Sequence, residues 1–147
     1  MRRMALLLLV LSLGATGCGS SEDTTAEEVW TDFVAAVNAG DVETVEALFD
    51  PQIEWTWDSN LLAIHRSASG REEAVTGIED LIGRGVTFDT TVVEVVGPML
   101  TAETVFDEPG LADFLGGPLL QTDVVKVSGG VIVTWASTAD EIDQVDE

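Results

Sequence analysis

Three side chains in this 147-residue chain are candidates for acid–base chemistry: its single histidine and two aspartates. His65 is the natural candidate for a general base, because an imidazole changes its charge near neutral pH. Asp58 and Asp107 would orient that imidazole if the fold brings them near it. The alternative interpretation is that His65 is an ordinary surface or loop residue.

Other common catalytic and metal-binding patterns do not stand out in the sequence. We find no Ser-His-Asp signature, no glycine-rich phosphate loop and no paired-carboxylate motif. One histidine and one cysteine exclude a conventional zinc site with several nitrogen or sulfur ligands. The acidic residues 140–147 lack the glycine turn and the ligand spacing of a calcium loop. We therefore expect neither a metal ion nor another cofactor.

Cys18 is the only cysteine, and it directly follows a segment typical of protein export. Arg2 and Arg3 give that segment a positive start, residues 4–13 are apolar apart from one serine, and residues 14–17 are small. A cleavage site that ends at a cysteine resembles the lipobox of bacterial lipoproteins. The resemblance implies a diacylglyceryl group on the Cys18 thiol and an acylated N-terminus, with palmitate as a typical acyl chain.

This resemblance also implies where the protein lies. Residues 1–17 would be a lipoprotein signal peptide, and residues 18–24 the lipidated cysteine and a tether. The protein would be held in the cell envelope, on the extracytoplasmic side of a membrane. The alternatives are ordinary secretion, which would leave Cys18 as an unpaired thiol in an oxidising compartment, and a retained anchor. A transmembrane helix needs about 20 apolar residues, and this segment is shorter.

The chain is strongly acidic, with 27 Asp and Glu, six Lys and Arg, and a formal charge of −21. Removal of residues 1–17 takes away two arginines and no acid, which leaves a formal charge of −23. This balance argues against nucleic acid as a partner, because phosphate binding depends on clustered cations. It also argues against attachment to an anionic lipid surface, so only the lipid on Cys18 would hold the domain. Residues 141–147 are predicted to form an acidic tail.

Helical patterns fill the first part of the chain beyond the tether. Residues 24–27 have the spacing of a capping box, and apolar residues then recur at helical spacing until Gly40. Asp41 is predicted to begin a second, short helix that Pro51 ends. A second capping box at residues 69–72 predicts the start of a third helix.

Strand patterns dominate the second part. Residues 53–57 already alternate with period two, and residues 86–137 are rich in strand-forming residues, with a predicted loop at 109–118. Helices followed by antiparallel strands predict an α+β fold in one domain. In residues 92–96 both faces of the strand are largely apolar. This pattern indicates either a sheet that curves into a half-barrel or a partner subunit.

The order of these elements resembles the nuclear transport factor 2-like superfamily, particularly its SnoaL-like branch. The likeness is carried by residues 33–41 (FVAAVNAGD) and 48–55 (LFDPQIEW). Residues 69–75 resemble the start of the third helix of that family, and residues 127–135 resemble its last hairpin. The likeness covers about residues 25–140. It implies three helices packed on a curved antiparallel sheet that forms a cone-shaped half-barrel.

The cone of that fold encloses a cavity, and members of the superfamily place different side chains in it. The resemblance implies that large aromatic residues line the cavity here; the candidates are Trp30, Phe33, Trp55, Trp57, Phe106 and Trp135. The alternative is plain core packing, since each such ring buries about 150–250 Å². The known enzymes of the superfamily fit poorly. Its ketosteroid isomerases need a tyrosine, which this chain lacks, and the Asp-Arg-Asp group of its epoxide hydrolases is not evident.

Three functions remain open at this point. The leading hypothesis is a non-catalytic, membrane-anchored lipoprotein domain that binds a small apolar ligand or a protein partner. The second is a small enzyme of the cyclase or isomerase type with His65 as general base. The third is a structural module that forms a homodimer and has no open cavity.

Overall fold

The computed structural model describes residues 24–143, which form four helices and six strands. In chain order these elements are α1 (Ala26–Ala39), α2 (Val42–Leu48), β1 (Phe49–Ser59), β2 (Ile64–Ser69), α3 (Arg71–Gly83), β3 (Thr87–Val96), β4 (Met99–Asp107), α4 (Pro109–Leu115), β5 (Leu119–Ser128) and β6 (Val131–Ile142). The α+β class and the three early helices predicted from the sequence are confirmed. The predicted signal peptide and Cys18 lie outside the described residues.

Helix α1 begins with a capping box one residue later than predicted. The Thr25 side chain accepts a hydrogen bond from the Glu28 backbone N–H at 3.2 Å, and the Glu28 carboxylate accepts the Thr25 N–H at 2.8 Å. Together the two bonds satisfy N–H groups that a helix end would otherwise leave free. The helix ends at Gly40, whose φ of 69° is a left-handed conformation that suits glycine.

The second helix begins as predicted but ends earlier. The Asp41 carboxylate accepts the Thr44 N–H at 3.1 Å, which confirms Asp41 as the cap. Helix α2 ends at Leu48, so Pro51 does not end it and instead lies within β1. Proline is tolerated there because the register between β1 and β6 shifts between Phe49 and Glu54, and such an irregularity leaves ladder positions unpaired.

Helix α3 is present where predicted, but its start differs from a capping box. Its cap is Gly70, which has no side chain to bond with. The neighbouring Ser69 N–H is instead accepted by the Glu73 carboxylate at 3.0 Å.

The six strands form one sheet in the order β2-β1-β6-β5-β4-β3. Four of the five pairings are antiparallel, as expected, and the fifth is parallel and joins β1 to β6. The sheet is therefore mixed. Strand β1 lies between its hairpin partner β2 and the last strand of the chain, a long-range pairing that no local sequence pattern specifies.

The helices cover one face of the curved sheet, and an aromatic core fills the space between them. Trp30 and Phe33 of α1 have no exposed surface. Phe33 lies 5.1 Å from Trp135 between ring centroids, and Trp55 lies 5.4 Å from Trp135. These edge and stacked contacts position the tryptophans of β1 and β6 beneath the helices.

Strand β3 forms one edge of the sheet and is apolar on both faces, as its sequence indicated. Val92 packs against the core, whereas Val93 and Val96 are 59% and 62% exposed. The core therefore contacts Val92, and the apolar side chains at the end of the strand stay exposed. The predicted partner subunit that would cover them stays a prediction.

Two segments predicted as irregular are ordered. The predicted loop at 109–118 contains α4, which Pro109 begins and Gly116 ends in a left-handed conformation. Proline and glycine at those positions are helix boundary signals as well as loop signals, and the helix is only seven residues long. Strand β6 continues to Ile142, and the Asp143 N–H bonds the Pro118 carbonyl at 2.8 Å. The start of the predicted tail thus belongs to the sheet.

Within residues 24–143, no helix is both long and apolar enough to cross a membrane.

Candidate functional site: an aromatic cavity

A cavity of about 110 Å³ lies between the sheet and the end of α3. Nine apolar side chains line it: Trp55, Trp57, Leu62, Ile64, Leu81, Phe88, Phe106, Leu111 and Trp135. Four polar side chains complete the wall: Arg66, Arg84, Glu108 and Gln121. A concave, mainly apolar site with a few polar groups is the usual form of a small-molecule site.

The structure divides the six aromatic candidates into two groups. Trp55, Trp57, Phe106 and Trp135 line the cavity. The other two, both on α1, are not among the lining residues and are fully buried in the core behind Trp135. The core-packing interpretation therefore applies to Trp30 and Phe33.

Strand alternation explains why these side chains meet. Trp55 and Trp57 are two residues apart on β1 and so share one face of the sheet. Arg66 of β2 lies directly across from Trp57, which places it on the same face. Phe88 and Phe106 form a similar cross-strand pair on β3 and β4, with ring centroids 5.7 Å apart.

The three catalytic candidates do not reach the cavity. His65 and Asp58 face each other across β1 and β2, and the His65 Nδ1 atom is in close contact with an Asp58 carboxylate oxygen. Both side chains are at least half exposed. Asp58 directly follows the lining residue Trp57 and His65 directly precedes the lining residue Arg66, so both side chains point to the other side of the sheet. Asp107 lies at the end of β4 beside Phe106 and is likewise not a lining residue.

A buried polar network, which the sequence interpretation missed, lies behind the cavity wall at Asp123. This carboxylate has no exposed surface. It accepts hydrogen bonds from Thr104 Oγ1 at 2.6 Å, Ser137 Oγ at 2.5 Å and Trp135 Nε1 at 2.8 Å. Gln121 Nε2 adds a fourth donor, 3.0 Å from Asp123 Oδ1. We call these five residues the Asp123 network.

The Asp123 network also fixes two further tryptophans. Trp57 Nε1 donates to Gln121 Oε1 at 3.1 Å. Trp30 Nε1 donates to Thr90 Oγ1 at 3.0 Å, and the Thr90 and Thr104 hydroxyls are 3.1 Å apart. Because the Thr104 hydroxyl proton is used toward Asp123, the Thr90 hydroxyl is the donor in that last bond. One buried carboxylate thus orients cavity side chains on β1, β5 and β6.

Burial raises the pKa of Asp123 above its usual range, because the charged form is removed from water. The hydrogen bonds from Ser137, Thr104, Trp135 and Gln121 act in the opposite direction, but they do not reverse the shift. The Trp135 indole N–H and the Gln121 NH₂ group can only donate hydrogen bonds. The arrangement therefore requires a side chain at position 123 whose oxygens accept them.

Strand periodicity was the signal that could have found this network. In Leu119–Ser128 the buried positions alternate strictly, and Gln121 and Asp123 fall on the same face as Leu119 and Val125. Two polar residues on the inward face of a strand indicate a buried hydrogen-bond network, because such groups are costly when unpaired.

Trp55 differs from the other three tryptophans. It is 7% exposed, and its Nε1 atom is buried with no hydrogen-bond acceptor among the described residues. The six-membered part of its indole lies against α3 at Gly77, where an added Cβ would come within 2.8 Å of the ring. Gly77 therefore sets how far this wall of the cavity can move toward the helix.

In residues 24–143, no cluster of three or more His, Cys, Asp or Glu side chains is arranged to hold a metal ion.

Several solved structures are similar to this chain. A nuclear transport factor 2-like protein of unknown function from Cytophaga hutchinsonii is 13% identical, with a TM-score of 0.61 over 80% of this chain and 92% of that one. An epoxide hydrolase from M. tuberculosis is 18% identical, with a TM-score of 0.58 over 78% and 82% of the two chains. The epoxide hydrolase/cyclase-like enzyme SalBIII is 14% identical, with a TM-score of 0.62 over 78% and 89%.

At these identities the likeness shows the fold and not the activity. The resemblance identified from the sequence is thus confirmed for the fold: the chain has the nuclear transport factor 2-like fold. Proteins with this fold include hydrolases and cyclases as well as proteins of unknown function. No protein-family model and no curated protein matches the sequence.

Proposed function

We propose that this chain is a non-catalytic binding domain that takes a small apolar ligand into its aromatic cavity. The observation that carries the proposal is the composition of the cavity wall, in which five aromatic rings and four aliphatic side chains surround about 110 Å³. When a ligand binds there, apolar surface of the ligand and of the cavity wall is removed from water, and this is the main driving force for association of this kind.

The placement of the titratable groups favours binding over catalysis. A general base must come within hydrogen-bond reach of the proton that it removes. His65 and Asp58 engage each other on the opposite side of the sheet from the cavity. Inside the wall, the Gln121 amide is held by Trp57 and Asp123 and does not titrate. The lining carboxylate, Glu108, is used as the cap of α4, where it accepts the Leu111 N–H. The cyclase or isomerase alternative therefore has little support from the geometry.

Attachment to a membrane through Cys18 is part of the same proposal. It rests on the sequence alone, from the basic start, the apolar run and the cysteine at the expected cleavage site. A lipid-anchored binding domain would hold its ligand at the outer side of a membrane. Several acyl chains are needed for a firm anchor, because a single chain binds only marginally.

The ligand proposal can be tested on the mature protein, extracted gently from its own host and examined by native mass spectrometry. We expect a bound small molecule in the wild type. Leu62→Phe would enlarge a lining side chain and narrow the cavity, so this variant should retain much less of the bound mass. Leu61→Phe is the matched control, since Leu61 is 45% exposed and does not line the cavity.

A direct titration makes the test independent of what the host supplies. Benzyl alcohol, added to the wild-type protein, should change tryptophan fluorescence, because three tryptophans line the cavity. The change should persist in Leu61→Phe and be much weaker in Leu62→Phe. Equal responses of both variants, or no response in the wild type, would contradict the proposal.

A further inference from the structure

The polar residues of the cavity wall carry an unusual share of the positive charge of this chain. From residue 24 onward the sequence has only four basic residues: Arg66, Arg71, Arg84 and Lys126. Two of the four, Arg66 and Arg84, line the cavity. Half of these scarce cations thus lie at this cavity, which points to the charge of what binds there.

Arg66 has no carboxylate to neutralise it. It extends from β2 across from Trp57, is exposed to solvent, and has no acid within ion-pair distance in the described part of the chain. A residue that both lines the cavity and reaches solvent lies at the cavity mouth. Its guanidinium group can therefore meet a ligand that enters there.

Arg84 lines the same cavity from the C-terminal end of α3. One of its amino groups bonds Asp80, one turn earlier in the helix, at 2.5 Å. The side chain is 40% exposed, so the pair lies in a screened environment. A guanidinium has five N–H donors, and one bond to Asp80 leaves others for a second acceptor.

The one acid in the wall is already engaged. Glu108 caps α4, and its carboxylate accepts the Leu111 N–H at 3.0 Å. A carboxylate at the start of a helix interacts favourably with the N–H groups there. Glu108 keeps its negative charge, so the wall carries one anion and two cations, and the two arginines are the groups with which a carboxylate would pair.

We propose that the ligand of the cavity is a small aromatic carboxylate, with its ring among the tryptophans and its carboxylate at Arg66 and Arg84. This rests on the proposed function and specifies the ligand class. Arginine suits the proposal because its planar group matches a carboxylate with two parallel hydrogen bonds.

The volume of the cavity limits the ligand to one ring. An apolar cavity of about 150 Å³ holds benzene, and this one measures about 110 Å³. A single ring therefore fits only if part of it extends into the mouth, and fused rings do not fit. That position brings a carboxylate on the ring toward the arginines.

Because the rest of the chain is strongly acidic, tight binding of an anion would indicate a specific cationic site. With a formal charge of −21, the surface repels anions at low ionic strength, so nonspecific binding of a carboxylate is weak. Salt shortens the range of both effects to about 10 Å at 0.1 M. Affinity that depends on Arg66 and Arg84 can therefore be separated from a general surface effect by single substitutions.

The experiment compares three probes of similar size and different charge: benzoate, benzyl alcohol and benzylamine. Each is titrated into the mature protein at low salt and followed by tryptophan fluorescence. We expect benzoate to bind at least about tenfold more tightly than benzyl alcohol, since a charge-assisted hydrogen bond is among the stronger ones. Benzylamine should bind more weakly than the alcohol.

Four substitutions assign the effect to the arginines. Arg66→Gln and Arg84→Gln should each weaken benzoate binding about tenfold, and should weaken benzyl alcohol binding much less. Lys126→Gln makes the same change in net charge away from the cavity and should have no effect. Asp80→Asn should strengthen benzoate binding, because it releases Arg84 from its partner.

The outcomes separate the two proposals. If none of the three probes binds to the wild type, the proposed binding function itself is overturned. Equal binding of benzoate and benzyl alcohol, or equal effects of Arg66→Gln and Lys126→Gln on benzoate, would overturn the carboxylate proposal alone. Weaker benzoate binding by Asp80→Asn would do the same.

Discussion

Replacement of Asp123 tests whether this buried carboxylate organises the cavity wall. Asp123→Leu would remove the acceptor of the Trp135 indole, the Gln121 amide and the Ser137 hydroxyl. Each buried donor left without a partner costs about 1–3 kcal/mol, so three cost about 3–9 kcal/mol. Burial of the leucine side chain regains about 2 kcal/mol. The net loss is therefore about 4 kcal/mol, a large part of a domain stability of about 5–15 kcal/mol.

Asp123→Asn is the matched control. The asparagine oxygen, in the place of Oδ1, can still accept from Trp135, Ser137 and Gln121. Its NH₂ group, in the place of Oδ2, can donate to Thr104 Oγ1, whose hydroxyl is able to turn. We therefore expect the Asn variant to fold with a free energy of unfolding much closer to the wild type than that of the Leu variant.

The raised pKa of Asp123 adds a pH dependence with a defined sign. In the interval between the usual aspartate pKa, about 4, and the raised folded value, the native state binds more protons than the unfolded state. The contribution of Asp123 to stability is thus greatest below that interval and is lost as pH rises through the folded pKa. The Asn variant has no such group, so the wild type should lose stability relative to it as pH rises.

Urea unfolding, followed by tryptophan fluorescence and circular dichroism over a series of pH values, measures both effects. The difference between wild type and Asp123→Asn cancels the contributions of the other acids of the chain, which are common to both. A Leu variant as stable as the wild type would refute the assigned role of the network. A wild type that gains stability relative to the Asn variant as pH rises would refute the sign.

Three further predictions concern other parts of the chain. Gly77→Ala should destabilise the domain, since the new methyl group would come within 2.8 Å of the Trp55 ring and overpacking costs about 1–3 kcal/mol. The control is Gly83→Ala in the same helix, where nothing lies within 4 Å of the new methyl group, and it should stabilise the domain by up to about 1 kcal/mol. Thermal unfolding measures both effects. His65→Gln should leave benzyl alcohol binding unchanged, because His65 does not line the cavity; a large loss in that titration would restore His65 to the site. Cys18→Ser should move the protein from the membrane fraction to the soluble fraction, and continued membrane association would contradict a lipid anchor.

Local patterns predicted the helices well because their determinants are local. Asp41 caps α2 as its sequence context indicated, and Gly40 ends α1 in the expected left-handed conformation. The short helix at Pro109–Leu115 was missed because proline and glycine mark both loops and helix ends. Pro51 was misassigned as the end of a helix, since only the irregular pairing of β1 shows that a proline is tolerated there.

Four of the six aromatic candidates line the cavity, and only the tertiary structure shows which four. Trp30 and Phe33 lie in the core and not at the cavity. The helical pattern predicts that the apolar side of α1 faces the sheet, but it does not specify which part of the sheet. Asp58 was a candidate to orient His65 only if the fold brought the two together. The fold does so, but on the side of the sheet away from the cavity. Pairing of β2 with β1 decides that side.

The sequence by itself determined the strong acidity, the scarcity of cations, the absence of a conventional zinc ligand set and most of the order of helices and strands. These properties depend on composition and on periodicities within a single element. Only the tertiary structure decided that Asp123 is buried among four donors, and that Arg66 and Arg84 share one cavity. Those groupings depend on pairings between strands and helices that are distant in the chain, and no short-range pattern encodes them.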